Sequence, residues 1–270
     1  MRGKPLDEIG TEDVLGVLTP LWQTRHETAC RLRGRIERVL DAAKAKGLRT
    51  GDNPARWRGH LDKLLSKRRK LSRGHLPAMA YPEVPKFLAE LREREAVAAM
   101  ALEFTILNAS RSGEVLGARW DEIDRNTKLW TVPPTRMKGG REHRVPLSPR
   151  ALAILDRVEP IRTGDYVFPG QRRGMPLSAS TMHEMLRRVT AERITVHGFR
   201  SSFRDWAGEC TSFPREIAEA ALAHIVGDQT ERAYRRGDAL EKRRKLMEAW
   251  AGFVTVPDAS ATVVPLRSAS

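Results

Sequence analysis

The segment Val196-His197-Gly198-Phe199-Arg200-Ser201-Ser202-Phe203-Arg204-Asp205-Trp206-Ala207 carries an H-x-x-R pair in a helical pattern. His197 and Arg200 are three residues apart, so a helix places both on one face, one turn apart. Downstream, Leu222-Ala223-His224 closes an expected helix from Ile217 to Ala223, and Glu231-Arg232-Ala233-Tyr234-Arg235-Arg236 follows. Upstream, Leu107-Asn108-Ala109-Ser110-Arg111-Ser112-Gly113-Glu114 sets Arg111 at an expected helix start. Between them, Arg136-Met137-Lys138-Gly139-Gly140 puts Lys138 at a hairpin tip, ahead of the strand His143 to Leu147.

Each of these features has an ordinary alternative when taken singly. The H-x-x-R is also what a surface helix of an arginine-rich chain gives by chance. A lysine beside Gly-Gly is also a solvated turn. Tyr234 on an amphipathic helix also reads as a core or boundary residue, and His224 as a satisfied histidine at a helix end.

Working outward, the chain reads as mainly α with a small antiparallel β-sheet. Thr11-Glu12-Asp13 starts a short helix, capped by Thr11 and stopped by Pro20. A longer helix is expected from Thr24 to Lys46. Its apolar face is Ala29, Leu32, Ile36, Val39, Leu40 and Ala43, its other face Arg31, Arg33, Arg35 and Arg38, and Gly47 follows as a C′ glycine. After Asn53-Pro54 another helix runs through Leu65. The basic stretch Ser66 to Arg73 reads as a linker that lies close to a polyanion, or as a plain solvated loop.

A second domain begins near Tyr81-Pro82 and is helical through Asn108. Strands follow at Trp120 to Ile123, Leu129 to Val132 and His143 to Leu147, with turns at Asp124-Arg125-Asn126 and Gly139-Gly140. The pattern is helical again from Ser148, ending in a helix from Ala239 to Phe253. Pro257 to Ser270 reads as a disordered tail. The expected domains are 1–75, helical, 76–256, mixed α+β, and the tail 257–270.

Lysine and arginine number 48 against 34 acids, a net charge of +14 spread along the chain, which points to a nucleic-acid partner. With 40% apolar residues a folded core is affordable. Cys30 and Cys210 are far apart and outside any C-x-x-C, so they read as small core residues rather than zinc ligands or a disulfide. No run of about 18 apolar residues is present to span a bilayer, and the first residues lack a signal peptide's hydrophobic stretch. A cytoplasmic, nucleoid-associated protein fits. No P-loop, HExxH or spaced carboxylate triad occurs. Cleavage of DNA without such a metal site needs a protein nucleophile, cations on the phosphate oxygens and an acid for the leaving oxygen.

Taken jointly, Arg111, Lys138, His197-x-x-Arg200, Leu222-Ala223-His224 and Tyr234 resemble the ordered catalytic set of the tyrosine recombinase (phage integrase) family, in its prophage type. Glu114 stands at that family's companion acidic position. The phrases VHGFRSSFRDWA, LAHIVGDQTERAYRRGD and EKRRKLMEAWAGF are similar to the prophage group, and the resemblance spans nearly the whole chain.

The resemblance implies a helical core-binding domain, a tyrosine recombinase catalytic domain, and the two as a C-shaped clamp on double-stranded DNA. Tyr234 is the implied nucleophile, leaving a 3′-phosphotyrosyl link without metal or ATP. Arg111 and Arg200 hold the non-bridging oxygens, since a planar guanidinium suits phosphate. His197 is the general base, His224 a hydrogen-bond donor to the phosphate, and Lys138 the acid for the 5′ oxygen. Arg31, Arg33, Arg35, Arg38, Arg56 and Arg58 are candidate phosphate contacts, each adding about 0.9 to the log–log salt slope.

A homo-tetramer on two attachment sites is implied, with room for an accessory DNA-bending protein. The family's prophage members carry an arm-binding domain first. This chain opens on Gly3-Lys4-Pro5-Leu6-Asp7-Glu8-Ile9, similar to the loop after the first core-binding helix, so an N-terminal truncation is expected. A degenerate integrase that binds DNA without completing exchange is the alternative. A type IB topoisomerase and a metal-dependent nuclease are disfavoured by the flanking phrases and the missing carboxylates.

Overall fold

The computed structural model describes residues 3–66, 77–224 and 239–256; the basic stretch 67–73, Tyr234 and the tail from Pro257 lie outside the described residues. Contacts sort the described residues into two compact units, one within 3–66 and one from 77 to 256. The architecture is mainly α with one small antiparallel sheet, as the pattern of the sequence predicts. Among the described residues no helix is long and apolar enough to cross a membrane.

The first unit is built on α1 (Thr11–Trp22) and α2 (His26–Ala45). The cap of α1 is Gly10 rather than Thr11: its amide donates to Asp13 Oδ2 at 2.8 Å. Pro20 does not stop the helix. It sits in the last turn, where a missing N–H removes a single internal bond, and burial of Leu18 and Trp22 carries the helix on. The end of α2 follows expectation. Gly47 lies at φ +70°, its amide bonds Lys44 O (3.0 Å), and Leu48 N bonds Ala43 O (2.9 Å), the paired bonds of a Schellman cap.

Ala29, Leu40 and Ala43 are buried on α2, but Val39, expected on that face, is exposed at the margin of the stripe. The helix expected up to Leu65 is a single turn, Asp62–Leu64, because Arg58 is extended and Gly59 adopts φ +74°. Trp57 stacks on Trp22 there, with ring centroids 5.5 Å apart. Cys30 is half-buried, and Cys210 is exposed at a helix end, so neither is the core residue expected.

The second unit places α3 (Val84–Arg92) and α4 (Val97–Leu107) where one continuous helical stretch was expected. Helix α4 is apolar all round and buried almost throughout, so the rest of the unit packs about it. Its buried Glu103 is met by Arg92 Nε at 2.6 Å and Arg150 Nε at 2.8 Å. A short helix α5 (Ser112–Leu116) leads to strands β1 (Ile123–Asp124), β2 (Leu129–Val132) and β3 (His143–Pro146), ordered β1-β2-β3.

Strand β2 alternates half-buried and buried, with Trp130 and Val132 inward, paired to Val145 and His143. Trp120–Glu122 is a 3₁₀ turn and not the start of β1. Glu122 Oε2 accepts from both Arg119 N (3.2 Å) and Trp130 Nε1 (3.0 Å), which fixes that turn.

Then come α6 (Pro149–Val158), α7 (Ala179–Val189), α8 (Phe199–Cys210), α9 (Arg215–Ala221) and α10 (Leu240–Thr255). The stretch between α6 and α7 departs from the continuous helical reading: it carries isolated bridges Arg119 to Tyr166 and Pro169 to Pro176. Helix α10 is anchored by Trp250, whose indole donates to Ile106 O (2.9 Å) and packs on Phe203 and Trp206.

Candidate active site

Two helix ends define the site. Helix α4 ends through Asn108 into Ala109 at φ +45°, with Ala109 N bonded to Ile106 O (3.1 Å) and Ser110 N to Thr105 O (3.2 Å). Helix α9 ends through Leu222 into Ala223 at φ +50°, with Ala223 N bonded to Ala220 O (3.1 Å) and His224 N to Glu219 O (2.9 Å). Both are Schellman caps with alanine at the left-handed position that glycine usually fills, at roughly 1–2 kcal/mol each. The first cap delivers Arg111 and the second delivers His224.

Arg200, in the first turn of α8, joins the two ends. Its Nη1 donates to Ala109 O (2.5 Å) and its Nη2 to Leu222 O (2.6 Å), while Nη2 also lies 3.1 Å from His224 Nε2. Helix C-termini carry partial negative charge and unpaired carbonyls, which a buried guanidinium satisfies. The residue is only 5% exposed. Burial, followed by the neighbouring Arg111, pushes its pKa down to about 10, with Glu114 and Glu219 pulling the other way.

Arg111 caps α5 in an extended conformation. Its amide donates to Glu114 Oε2 (3.0 Å) and its Nη1 to Glu114 Oε1 (2.7 Å), so one buried carboxylate holds both ends of the residue. His197 is not on the same α-helix as Arg200, as the H-x-x-R spacing suggested. It sits on a 3₁₀ turn, Val196–Gly198, so His197 is exposed while Arg200 is buried. Gly198 lets the segment Pro77–Ala78 pack against this turn, because a Cβ there would meet Pro77 O at 2.5 Å. Burial first, then Arg200, Arg111, His224 and Lys138, hold the His197 pKa below the usual imidazole range. Four other candidate residues thus add to the positive field at His197.

Lys138 is exposed in the connection between β2 and β3. The connection's root is fixed by Arg136, which donates to Glu114 O (2.9 Å) and Glu122 Oε1 (3.1 Å). Gly117 leaves the space Arg136 fills: a Cβ there would lie 2.6 Å from its Nη1. Tyr234 lies outside the described residues. Of the chain ends flanking residues 225–238, His224 is held by Arg200 and Glu219, and Arg243 on α10 donates to Arg144 O on β3 (2.8 Å).

His224 Nδ1 lies 2.6 Å from Glu219 Oε2. An ionised carboxylate only accepts, so Nδ1 carries the hydrogen and Nε2 accepts from Arg200. For Nε2 to donate to a phosphate, as expected, the ring must take up a second proton. Sequence reasoning passed over Glu219, Arg136 and also His143. His143 hydrogen-bonds the Ala221 backbone, and burial, then Arg243, push its pKa down to about 4, with Arg200 adding to the effect.

The six candidate arginines of the first unit differ among themselves. Arg31, Arg35 and Arg38 are exposed on one side of α2, with Arg31 paired to Glu27 at 3.1 Å. Arg33 lies on the flank beside Leu40. It donates to Glu37 (2.8 Å) and Ala55 O (2.9 Å) and stands 5.8 Å from the Trp57 ring centroid. Arg56 is exposed, 3.9 Å from Asp52, and Arg58 is exposed.

Comparison with known proteins identifies the family. Residues 78–240 match the phage integrase family, and residues 1–60 match the phage integrase central domain. The chain belongs to the phage integrase family. It is 33% identical over 243 residues to the prophage integrase IntA of Escherichia coli (strain K12), covering 88% of this chain and 57% of that protein. It is 28% identical over 251 residues to the integrase of enterobacteria phage P4, covering 85% and 55%. The chain thus spans a little over half the length of these relatives.

Among solved structures, a lambda integrase dimer bound to a COC′ core site superposes with a TM-score of 0.60 at 20% identity, covering 88% of this chain and 67% of that one. The Tn1549 transposon integrase in complex with circular intermediate DNA superposes at 0.54 and 15% identity, covering 86% and 87%. At these identities the likeness shows the fold.

Proposed function

We propose that the protein is a site-specific recombinase that breaks and rejoins double-stranded DNA through a 3′-phosphotyrosyl intermediate at Tyr234, using neither metal nor ATP. The observation that carries the reading is the setting of Arg200. A guanidinium is buried between two helix ends with Arg111 close enough to depress its pKa, and Arg200, Arg111 and Lys138 all add to the positive field at His197. Like charges held together in a fixed frame repel until an anion joins them, and a phosphodiester is the anion that two planar guanidinium groups suit. Membership of the integrase family, and relatives named as integrases, support the same reading.

In this mechanism the Tyr234 oxygen attacks the phosphorus and passes its proton to His197, whose lowered pKa leaves it neutral and able to accept. Arg111 and Arg200 stabilise the charge that builds on the non-bridging oxygens. His224 faces the same phosphate. The bond to the 5′ oxygen breaks, and Lys138 supplies that oxygen's proton. A 5′ hydroxyl of another strand then attacks the phosphotyrosyl link and releases Tyr234, so the bond energy is conserved.

Residues 1–75 act as the core-type DNA-binding domain and 76–256 as the catalytic domain. A homo-tetramer assembles on two attachment sites in the cytoplasm, at the nucleoid, with an accessory DNA-bending protein where the site needs bending, and viral genome integration is the biological setting. Solved lambda integrase structures described as a dimer on a core site and a tetramer on a Holliday junction support the partner and the assembly.

The test uses duplex DNA spanning the junctions of the element that encodes the gene, nicked near the crossover to trap the intermediate, incubated in EDTA. A denaturant-resistant protein–DNA band, lost in Tyr234→Phe, is the expected result. A retained gel shift with no band gives the degenerate DNA-binding alternative instead, and a band that requires magnesium overturns the chemistry.

A further inference from the structure

Four side chains close a ring across α8, α9 and the turn after it. Arg200 and Arg204 are one turn apart on α8. Arg200 Nη2 meets His224 Nε2 at 3.1 Å, His224 Nδ1 meets Glu219 Oε2 at 2.6 Å, and Glu219 Oε1 meets Arg204 Nε at 2.8 Å. Arg215, a turn before Glu219 on α9, stands 3.7 Å from the same Oε1.

Glu219 is buried, and burial works against its charge. The hydrogen bond from His224, then Arg204, outweigh that and hold the carboxyl below its usual range. A buried ion pair is weak evidence of a stabilising role, since well-packed apolar residues often do as well. The mechanism proposed above makes no use of Glu219. What the ring does secure is the orientation of an imidazole that is itself 41% exposed and follows a left-handed alanine.

We propose that Glu219 is a positioning residue of the reaction: it holds the hydrogen on Nδ1 and fixes the rotation of the His224 ring, so that Nε2 faces Arg200 and, once the ring takes up a second proton, donates to the scissile phosphate. This rests on the recombinase reading. A carboxylate on one ring nitrogen that orients the other toward the reacting atoms is a recurrent arrangement in histidine chemistry. Without Glu219 the ring keeps one partner, and that partner, Arg200, is the group the phosphate competes for.

The experiment is a two-by-two set, wild type, Glu219→Gln, His224→Ala and the double variant, assayed for the rate of covalent adduct formation on the nicked junction duplex in EDTA. Glu219→Gln is expected to slow the adduct about 10- to 100-fold, the usual range for losing an orienting partner, with the gel-shift affinity unchanged. In the His224→Ala background it should cost nothing further, because its effect passes through that ring. A wild-type rate in Glu219→Gln, or an equal slowing in both backgrounds, overturns the proposal.

Should Glu219→Gln fail to fold, Glu219→Asp keeps the charge and shortens its reach by one methylene. The same His224-dependent slowing is then expected, and a wild-type rate overturns the idea. Ring-nitrogen NMR of histidine-labelled protein separates this from failure of the recombinase reading. If wild type makes no adduct, the Nδ1–H signature of His224 should still be present, and its persistence in Glu219→Gln would count against the proposal.

Discussion

Arg200 and Arg35 are the same side chain in opposite settings. Arg200 is clamped by Ala109 O and Leu222 O at the meeting of two helix ends, with its charge held in place before any ligand arrives. Arg35 stands exposed on α2 beside Arg31 and Arg38, on a helix whose buried side faces away. A fixed, desolvated cation contributes where charge develops in a transition state, because it need not reorganise. An exposed one contributes mainly by releasing counterions from DNA, an effect that salt erodes. Charge count alone, +14 for the chain, gives no hint of this division.

The comparison breaks most sharply at Arg200. In Arg200→Lys the ammonium cannot span both carbonyls and a phosphate in one plane. Adduct formation is expected to fall about 10²- to 10³-fold, the typical effect of removing one preorganised charge stabiliser. Time courses of the denaturant-resistant band measure it, and a loss under tenfold would put Arg200 on a par with the exposed arginines.

A second effect comes from His143, which lies on β3 against the end of α9, where burial first, then Arg243 and Arg200, depress its pKa. With a folded pKa near 4 against an ordinary value of 6.5, the unfolded chain binds more protons throughout that interval. Stability is therefore complete above about pH 6.5 and declines as the pH falls toward 4, by about 3 kcal/mol in all. Urea unfolding at pH 7 and pH 4 should show that decline in wild type and a smaller one in His143→Gln. Equal declines would mean that burial on β3 does not hold His143 neutral.

The sequence carried the elements better than the contacts. Strand β2 was legible because Trp130 and Val132 alternate with half-buried neighbours, and the end of α2 because Gly47 is the residue that a left-handed cap favours. The caps at Ala109 and Ala223 use alanine, which gives no such signal, so the two carbonyls that grip Arg200 were invisible.

Pro20 and Trp120 misled for one reason: each was read from local propensity, and burial of Trp22 in one case and the bonds to Glu122 in the other decided the outcome. Arg111, Lys138, His197, Arg200, His224 and Tyr234 were legible through their order along the chain. Glu219 was not, because it acts by touching His224, and a contact five residues away across a helix end has no pattern of its own.

The smallest effect returns to α2 and asks whether its arginines form one class. A helix turns about 100° per residue, which sets Arg31, Arg35 and Arg38 together and swings Arg33 round to the flank beside Leu40. There Arg33 is bonded to Glu37 and Ala55 O and lies over Trp57. If Arg35 touches a phosphate, Arg35→Ala should lower the log–log salt slope of DNA binding by about 0.9 and leave unfolding unchanged. Arg33→Ala should do the reverse, holding the slope while costing about 1 kcal/mol through the Ala55 carbonyl it leaves unpaired. Gel shifts across a salt series, paired with urea unfolding, measure both. A slope change in Arg33→Ala would show that a side chain already satisfied within the protein gives up its partners for DNA, and the line drawn between held and free arginines would then run through α2 as well as between the two units.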